Sequence, residues 1–231
     1  STATQVFVFG ALQYLIGGNR KGLWIALCSS LFHFSFIFPV ALLILYAFTG
    51  NHRKLFLILF IGTALVKELN LEAVKSYLSF LPDVFQTRVQ NYVTNDLLEQ
   101  QLQSISLTNW YIRNYDLFIK WIVYIFIITI NVKPAAIKDE DVGFKRLLSF
   151  SMLFYSFCNI AELVPQGVRF LIAGNLLIFF LIIIYLTQIE KVKAIKIIKI
   201  FSVPVLLIIA VVSIRKGFDY TGLLSIFGNP L

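Results

Sequence analysis

LWIALCSSLFHFSFIFPVALLILYAF, residues 23–48, decides the fold class. The stretch contains no formally charged side chain. At about 1.5 Å of rise per residue it is long enough, as one helix, to cross a hydrocarbon core of roughly 30 Å. It also holds His33 and Pro39. A titratable group at membrane depth is costly unless it faces a polar interior. The stretch therefore predicts an integral membrane protein in which His33 faces something other than lipid.

The same pattern recurs on either side of it. Ala3 to Ile16 is a first apolar span, closed by Gly17-Gly18-Asn19 and followed by Arg20 and Lys21. After Asn51-His52-Arg53-Lys54 comes Leu55 to Val66, too short to cross alone; it either continues past Lys67 and Glu68 to Leu71 or is a half-span. Leu117 to Val132, Leu147 to Leu163, Phe170 to Ile189 and Phe201 to Ile214 are the further spans. Residues 69–112 form a long polar interruption. Leu69, Ala73, Tyr77 and Leu81 recur at a helical spacing, which predicts a helix lying along the membrane surface, broken at Pro82-Asp83. Trp110 and Tyr111 mark the next interface. The expected fold is an all-α polytopic bundle of about seven transmembrane helices. Residues 1–231 form a single membrane domain, with an extracytoplasmic loop carrying amphipathic helices at 69–112.

Composition agrees. The chain is 58% apolar with 23 phenylalanines, where soluble domains are about 45–50% apolar. Cys28 and Cys158 both lie in apolar runs and read as small buried hydrophobes, with no disulfide framework and no metal spacing. The net charge of +8 would suggest nucleic acid in a soluble chain. Here the basic residues sit in short loops between spans, where membrane orientation accounts for them. The N-terminus has no basic region and no cleavage site, so it is not a signal peptide. The abrupt start and the end at FGNPL read as a fragment of a longer chain, or the start as the product of initiator-Met removal before Ser1.

Orientation follows from alternating the loops. Arg53, Lys54, Lys133, Lys138, Lys145, Arg146, Lys191, Lys193, Lys196 and Lys199 fall on one side. Arg20, Lys21, Lys67, Lys75, Arg88, Arg113, Arg169, Arg215 and Lys216 fall on the other, four of them in or at the edges of the one long loop. The excess of positive charge in short loops places the first set in the cytoplasm.

Several residues stand out as chemistry. His33, with Ser29, Ser30 and Ser35 nearby, is either a helix-packing histidine or a proton acceptor in a wet cleft. Arg169 at the start of its span is either an interfacial anchor or a ligand for phosphate, onto which a guanidinium forks; Glu162 is its nearest acidic neighbour in sequence. Arg88 and Tyr92, one helical turn apart, suit a phosphate or carboxylate and a sugar face, or a solvated loop. Arg113, Arg215, Asp219 and Tyr220 are further candidates for the same outer surface. No glycine-rich nucleotide loop, zinc spacing or serine-histidine-acid order is present.

Taken together, LFHFS (31–35) before Pro39, LPDVFQTRVQNYV (81–93), VPQGVRF (164–170), IRKGFDY (214–220) and GNPL (228–231) resemble the EpsG-type and O-antigen-polymerase (Wzy-type) membrane proteins of bacterial polysaccharide synthesis. The resemblance covers most of the chain. Members of those families carry a further N-terminal half that this sequence lacks. The resemblance implies a multi-pass protein of the bacterial cytoplasmic membrane. It would join oligosaccharide repeat units carried on undecaprenyl pyrophosphate into exopolysaccharide, capsule or O-antigen at the outer leaflet. No cofactor and no metal are implied, and the partners would be the lipid-linked glycan, the bilayer, a flippase and a chain-length regulator. His33 would be the base and Arg169 the pyrophosphate contact, with Arg88, Tyr92, Arg113, Arg215 and Tyr220 as substrate-binding residues. Two other classes remain open. A transporter or lipid-linked sugar flippase would set His33 and Lys120 on a path through the bundle. A membrane O-acyltransferase would also use an intramembrane histidine.

Overall fold

The computed structural model describes residues 2–66, 110–132, 142–164 and 167–188 of the 231. The elements among them are all helical. In chain order they are α1 (Thr2–Leu15), α2 (Lys21–Phe32), a 3-10 turn (Phe34–Phe36), α3 (Ile37–Thr49), α4 (Arg53–Ala64), α5 (Trp110–Val132), α6 (Val142–Ala161) and α7 (Val168–Gln188). The chain divides into two compact units: residues Ser1–Ser104 with Ile137–Ile184, and Ile105–Ala136 with Tyr185–Leu231. The surface helix expected from residue 69 and the span expected from Phe201 lie outside the described residues.

In the first unit α6 is the axis. It is buried around most of its circumference, from Phe144 and Leu147 through Phe150 and Phe154 to Cys158 and Asn159. A helix apolar on all sides needs neighbours on all sides. Small residues on it, Ser149, Ser151 and Ser156, let those neighbours approach. Ring pairs set the register. Phe7 of α1 meets Phe154, with centroids 5.4 Å apart. Tyr46 of α3 meets Phe150 at 5.5 Å, and Phe60 of α4 meets Tyr155 at 5.9 Å. Phe170 of α7 meets Phe157 at 5.3 Å. So α4 runs parallel to α6, and α1, α3 and α7 run antiparallel to it.

The 23–48 stretch is not one span. It is broken at His33, and the chain turns back there. Two local causes act together. Ser29 and Ser30 bond back to the carbonyls of Ala26 and Leu27, both at 2.6 Å, which loosens the end of α2. Pro39 cannot donate to the carbonyl four residues before it, and its ring would clash there, so no regular helix runs through 35–39. In the observed break Pro39 falls in the first turn of α3, where its missing N–H is no loss. Beyond the break, Phe36 packs on Phe7 and Phe170 (5.9 and 6.0 Å), and α3 descends beside α6 until the Tyr46 hydroxyl donates to the Arg146 carbonyl at 3.1 Å.

Helices α1 and α2 form the tightest contact. A Cβ on Gly10 would sit 2.7 Å from the Gly22 carbonyl oxygen, and one on Gly22 would sit 2.6 Å from the Tyr14 nitrogen. Gly22, Ala26 and Ser29 make the buried stripe of α2. This is the small-residue spacing that lets helix backbones meet. The turn between them uses Gly18 at φ 63°, and the α3–α4 turn uses Gly50 at φ 79°.

The reversal corrects the alternating-loop orientation. A Cβ at Gly18 would lie 3.6 Å from the Arg146 guanidinium, and Tyr46 reaches the same residue from α3. Hence Arg20 and Lys21 lie at the same end as Arg53, Lys54, Lys145 and Arg146, not opposite them. Among the described residues of this unit, Arg169 is the one Lys or Arg at the other end.

Of the described helices, one, over Val168–Thr187, is long and apolar enough to cross a membrane by itself. Lys21–Phe32, Phe34–Thr49 and Leu117–Val132 are shorter apolar helices. In the second unit α5 buries Ile119, Val123, Ile127 and Ile130 along one face, while Leu117, Trp121 and Ile125 are exposed. Phe126 meets Tyr185 edge-on, centroids 5.6 Å apart.

Candidate functional site

The break in the decisive stretch and the start of α7 meet. α2 closes when the His33 N–H bonds to the Ser29 carbonyl at 3.1 Å. His33 then adopts an extended conformation (φ −153°, ψ 113°), and its carbonyl accepts the Phe36 N–H at 2.9 Å, closing the 3-10 turn. Its ring is thereby carried to the apex of the α2–α3 hairpin, half-buried, rather than into the middle of a span.

Arg169 is the second residue of α7. Gly167 just before it is buried, and a Cβ there would run into the Ala161 carbonyl oxygen, so the approach to α7 is tight. The Cys158 thiol donates to the Phe170 carbonyl at 3.3 Å, and Phe170 packs against Phe157 of α6. Phe170 also packs against Phe36, three residues beyond His33. That ring pair lies beside a polar pair. The Arg169 guanidinium Nη1 is 2.8 Å from His33 Nε2.

The chemistry of this contact fixes the protons. A guanidinium only donates, so Nε2 must accept with its lone pair. A neutral imidazole then carries its proton on Nδ1, which donates to the Ser35 hydroxyl at 2.8 Å. The Ser35 backbone N–H also faces Nδ1, at 3.3 Å; it can donate there only when that nitrogen is bare, so the ring protonated at Nδ1 keeps the hydroxyl and gives up this longer bond. A second proton, on Nε2, would point straight at a permanent cation, so the arrangement requires the neutral ring.

Polar contacts on α4, α6 and α7 lie within a few turns of the pair. The Tyr155 hydroxyl donates to Asn175 Oδ1 at 3.0 Å, and Asn159 Nδ2 donates to the Thr63 hydroxyl at 3.2 Å. Cross-helix bonds of this kind hold apolar helices in register. Arg169 also sits at the N-terminal end of a 21-residue helix. A cation is disfavoured by the helix dipole there, and an anion is favoured. The site is thus a cation and a helix terminus that both suit a phosphate, beside a ring nitrogen with a lone pair. Among the described residues no group of His, Cys, Asp and Glu could hold a metal ion.

Of the residues singled out in the sequence, His33 and Arg169 are brought together. Arg113 lies in the first turn of α5, in the second unit. Arg88, Tyr92, Arg215, Asp219 and Tyr220 lie outside the described residues. Two members of the site had a weaker signal. Ser35, noted only as a neighbour of His33, anchors the ring at Nδ1; its spacing of two is the local sign of a side chain folding back on a turn. Phe36 and Phe170, which bring the two polar residues together, are two phenylalanines among 23. No family model, no curated protein and no solved structure matches the chain.

Proposed function

We propose that the protein is a multi-pass protein of a bacterial cytoplasmic membrane that polymerises polyprenyl-diphosphate-linked oligosaccharides by glycosyl transfer at the outer face, as the EpsG-type and Wzy-type resemblance implies. The observation that carries the reading is the 2.8 Å contact of Arg169 with His33, at the end of the unit opposite Arg20, Lys21, Arg53, Lys54, Lys145 and Arg146. Positive charge concentrated in short loops marks the cytoplasmic side, which leaves the pair on the outer side. Trp24, Leu31, Phe48 and Ile58 are large apolar side chains at least two-thirds exposed, which suits a lipid surround. α2 has 12 residues and rises about 18 Å, less than the roughly 30 Å hydrocarbon core. Measured from the crowded end, the hairpin apex therefore lies about 12 Å short of the outer edge of that core, and in this reading the donor's diphosphate enters the bundle to reach it.

In this reading Arg169 and the α7 terminus take the diphosphate of the leaving carrier, and His33 takes the proton of the attacking hydroxyl. Ser35 holds the ring so that Nε2 faces the substrate. The test is made in cells producing the polymer. Arg169→Ala and His33→Ala should each shorten or abolish the high-mass ladder on a polysaccharide gel at unchanged protein level, with turnover falling about 100-fold or more. A ladder of unaltered length from either variant removes that residue from the reaction.

A further inference from the structure

In the resting geometry the two groups needed for the reaction occupy each other. The lone pair that His33 would use as a base accepts from Arg169 Nη1 at 2.8 Å. The guanidinium that would grip a diphosphate is spent in part on that ring. Neither can act fully while the contact persists.

We propose that this contact is a latch opened by the donor's diphosphate. A phosphate oxygen competes for the guanidinium, because a fork onto an anion is stronger than one bond to a neutral ring nitrogen. The helix terminus adds to the anion's advantage. As Arg169 turns onto the phosphate, Nε2 is uncovered, while Nδ1 stays bonded to the Ser35 hydroxyl and keeps the ring in place. The base is therefore exposed only when a donor is bound, and an acceptor hydroxyl alone finds no free base.

This rests on the glycosyl-transfer reading of the same pair, and the step balances. The acceptor oxygen bonds to the anomeric carbon as its proton passes to Nε2. The anomeric carbon–oxygen bond breaks, and its electron pair leaves on the diphosphate oxygen held by Arg169. The proton on His33 passes to water before the guanidinium returns, since two cations cannot share the contact.

The test uses the full chain in lipid nanodiscs and diethylpyrocarbonate, which attacks unprotonated imidazole nitrogen. The sequence has two histidines, and His52 is exposed, so its peptide serves as the internal reference in mass spectrometry. Millimolar inorganic pyrophosphate should raise the His33-to-His52 labelling ratio on the order of tenfold, the weight of one charge-assisted bond. Arg169→Gln should show the raised ratio without pyrophosphate and no further response. Arg169→Lys, which keeps the charge but loses the fork, should respond only weakly. A wild-type ratio that ignores pyrophosphate, an Arg169→Gln ratio equal to the resting wild type, or an equal response in all three proteins overturns the latch. Failure of the parent reading looks different: labelling would respond as stated while neither residue affects polymer length in cells.

Discussion

The two ends of the first unit both present arginine, and they use it differently. At the Arg146 end, Arg20, Lys21, Lys54 and Arg146 are exposed, and Arg146 is engaged through its backbone carbonyl, which takes the Tyr46 hydroxyl. At the other end, Arg169 is half-buried with its guanidinium on a ring nitrogen. Among the described residues, the first end has cations in quantity; the second has one, in a fixed position, with Glu162 the acidic residue of the same end. Exposed cations in high dielectric contribute little individually, and their sum acts at long range on orientation and lipid headgroups. A half-buried guanidinium held against a defined partner can act on a single reacting group. Charge count marks a side of this molecule, and geometry marks a site.

The comparison depends first on the α2–α3 hairpin, which brings Arg20 and Lys21 to the crowded end and His33 to the sparse one. Gly22→Val should break it at its base. The new side chain meets the Tyr14 backbone nitrogen, which cannot yield as a flexible side chain would. We expect a loss of about 3 kcal/mol or more, read as a lowered melting temperature in detergent and a fall in membrane-fraction yield.

The next largest effect separates the ends directly. Arg169→Gln should reduce polymer-forming turnover about 100-fold. Arg146→Gln should leave it within about twofold, since loss of one exposed charge contributes little. Equal losses from both would erase the distinction between a site and a side.

Much of this arrangement was legible in the residues, and the remainder has physical reasons for having been hidden. α6 and α7 follow from long apolar runs bounded by basic and Pro-Gly turns. Pro39 announces a break in the 23–48 stretch. It does not announce a reversal, because the direction taken after a break is set by what Phe36 packs against, and Phe7 and Phe170 come from distant helices. Reading the stretch as one span put Arg20 and Lys21 on the wrong side. Likewise His33 was conspicuous as a polar group inside an apolar stretch, and Arg169 as one at the start of another. Their pairing across 136 positions depends on the bundle as a whole.

The smallest effect concerns the crowded end alone. Tyr46→Phe removes the bond to the Arg146 carbonyl and leaves the ring edge-on to Phe150 and tilted against Phe56. It should cost about 1 kcal/mol of stability, with polymer length unchanged. A change in polymer length would mean that the two ends are coupled through α3.

The hairpin in its proposed membrane setting is tested most directly by substituted-cysteine accessibility in intact cells, in a background where Cys28 and Cys158 are replaced by serine. Single cysteines at Asn19 and Asn51 bracket the hairpin and lie in the two glycine turns at the crowded end. Both should be shielded from a membrane-impermeant maleimide until the cells are opened. Labelling of one from outside and the other only from inside would mean that residues 23–48 cross as a single helix, and would contradict the account.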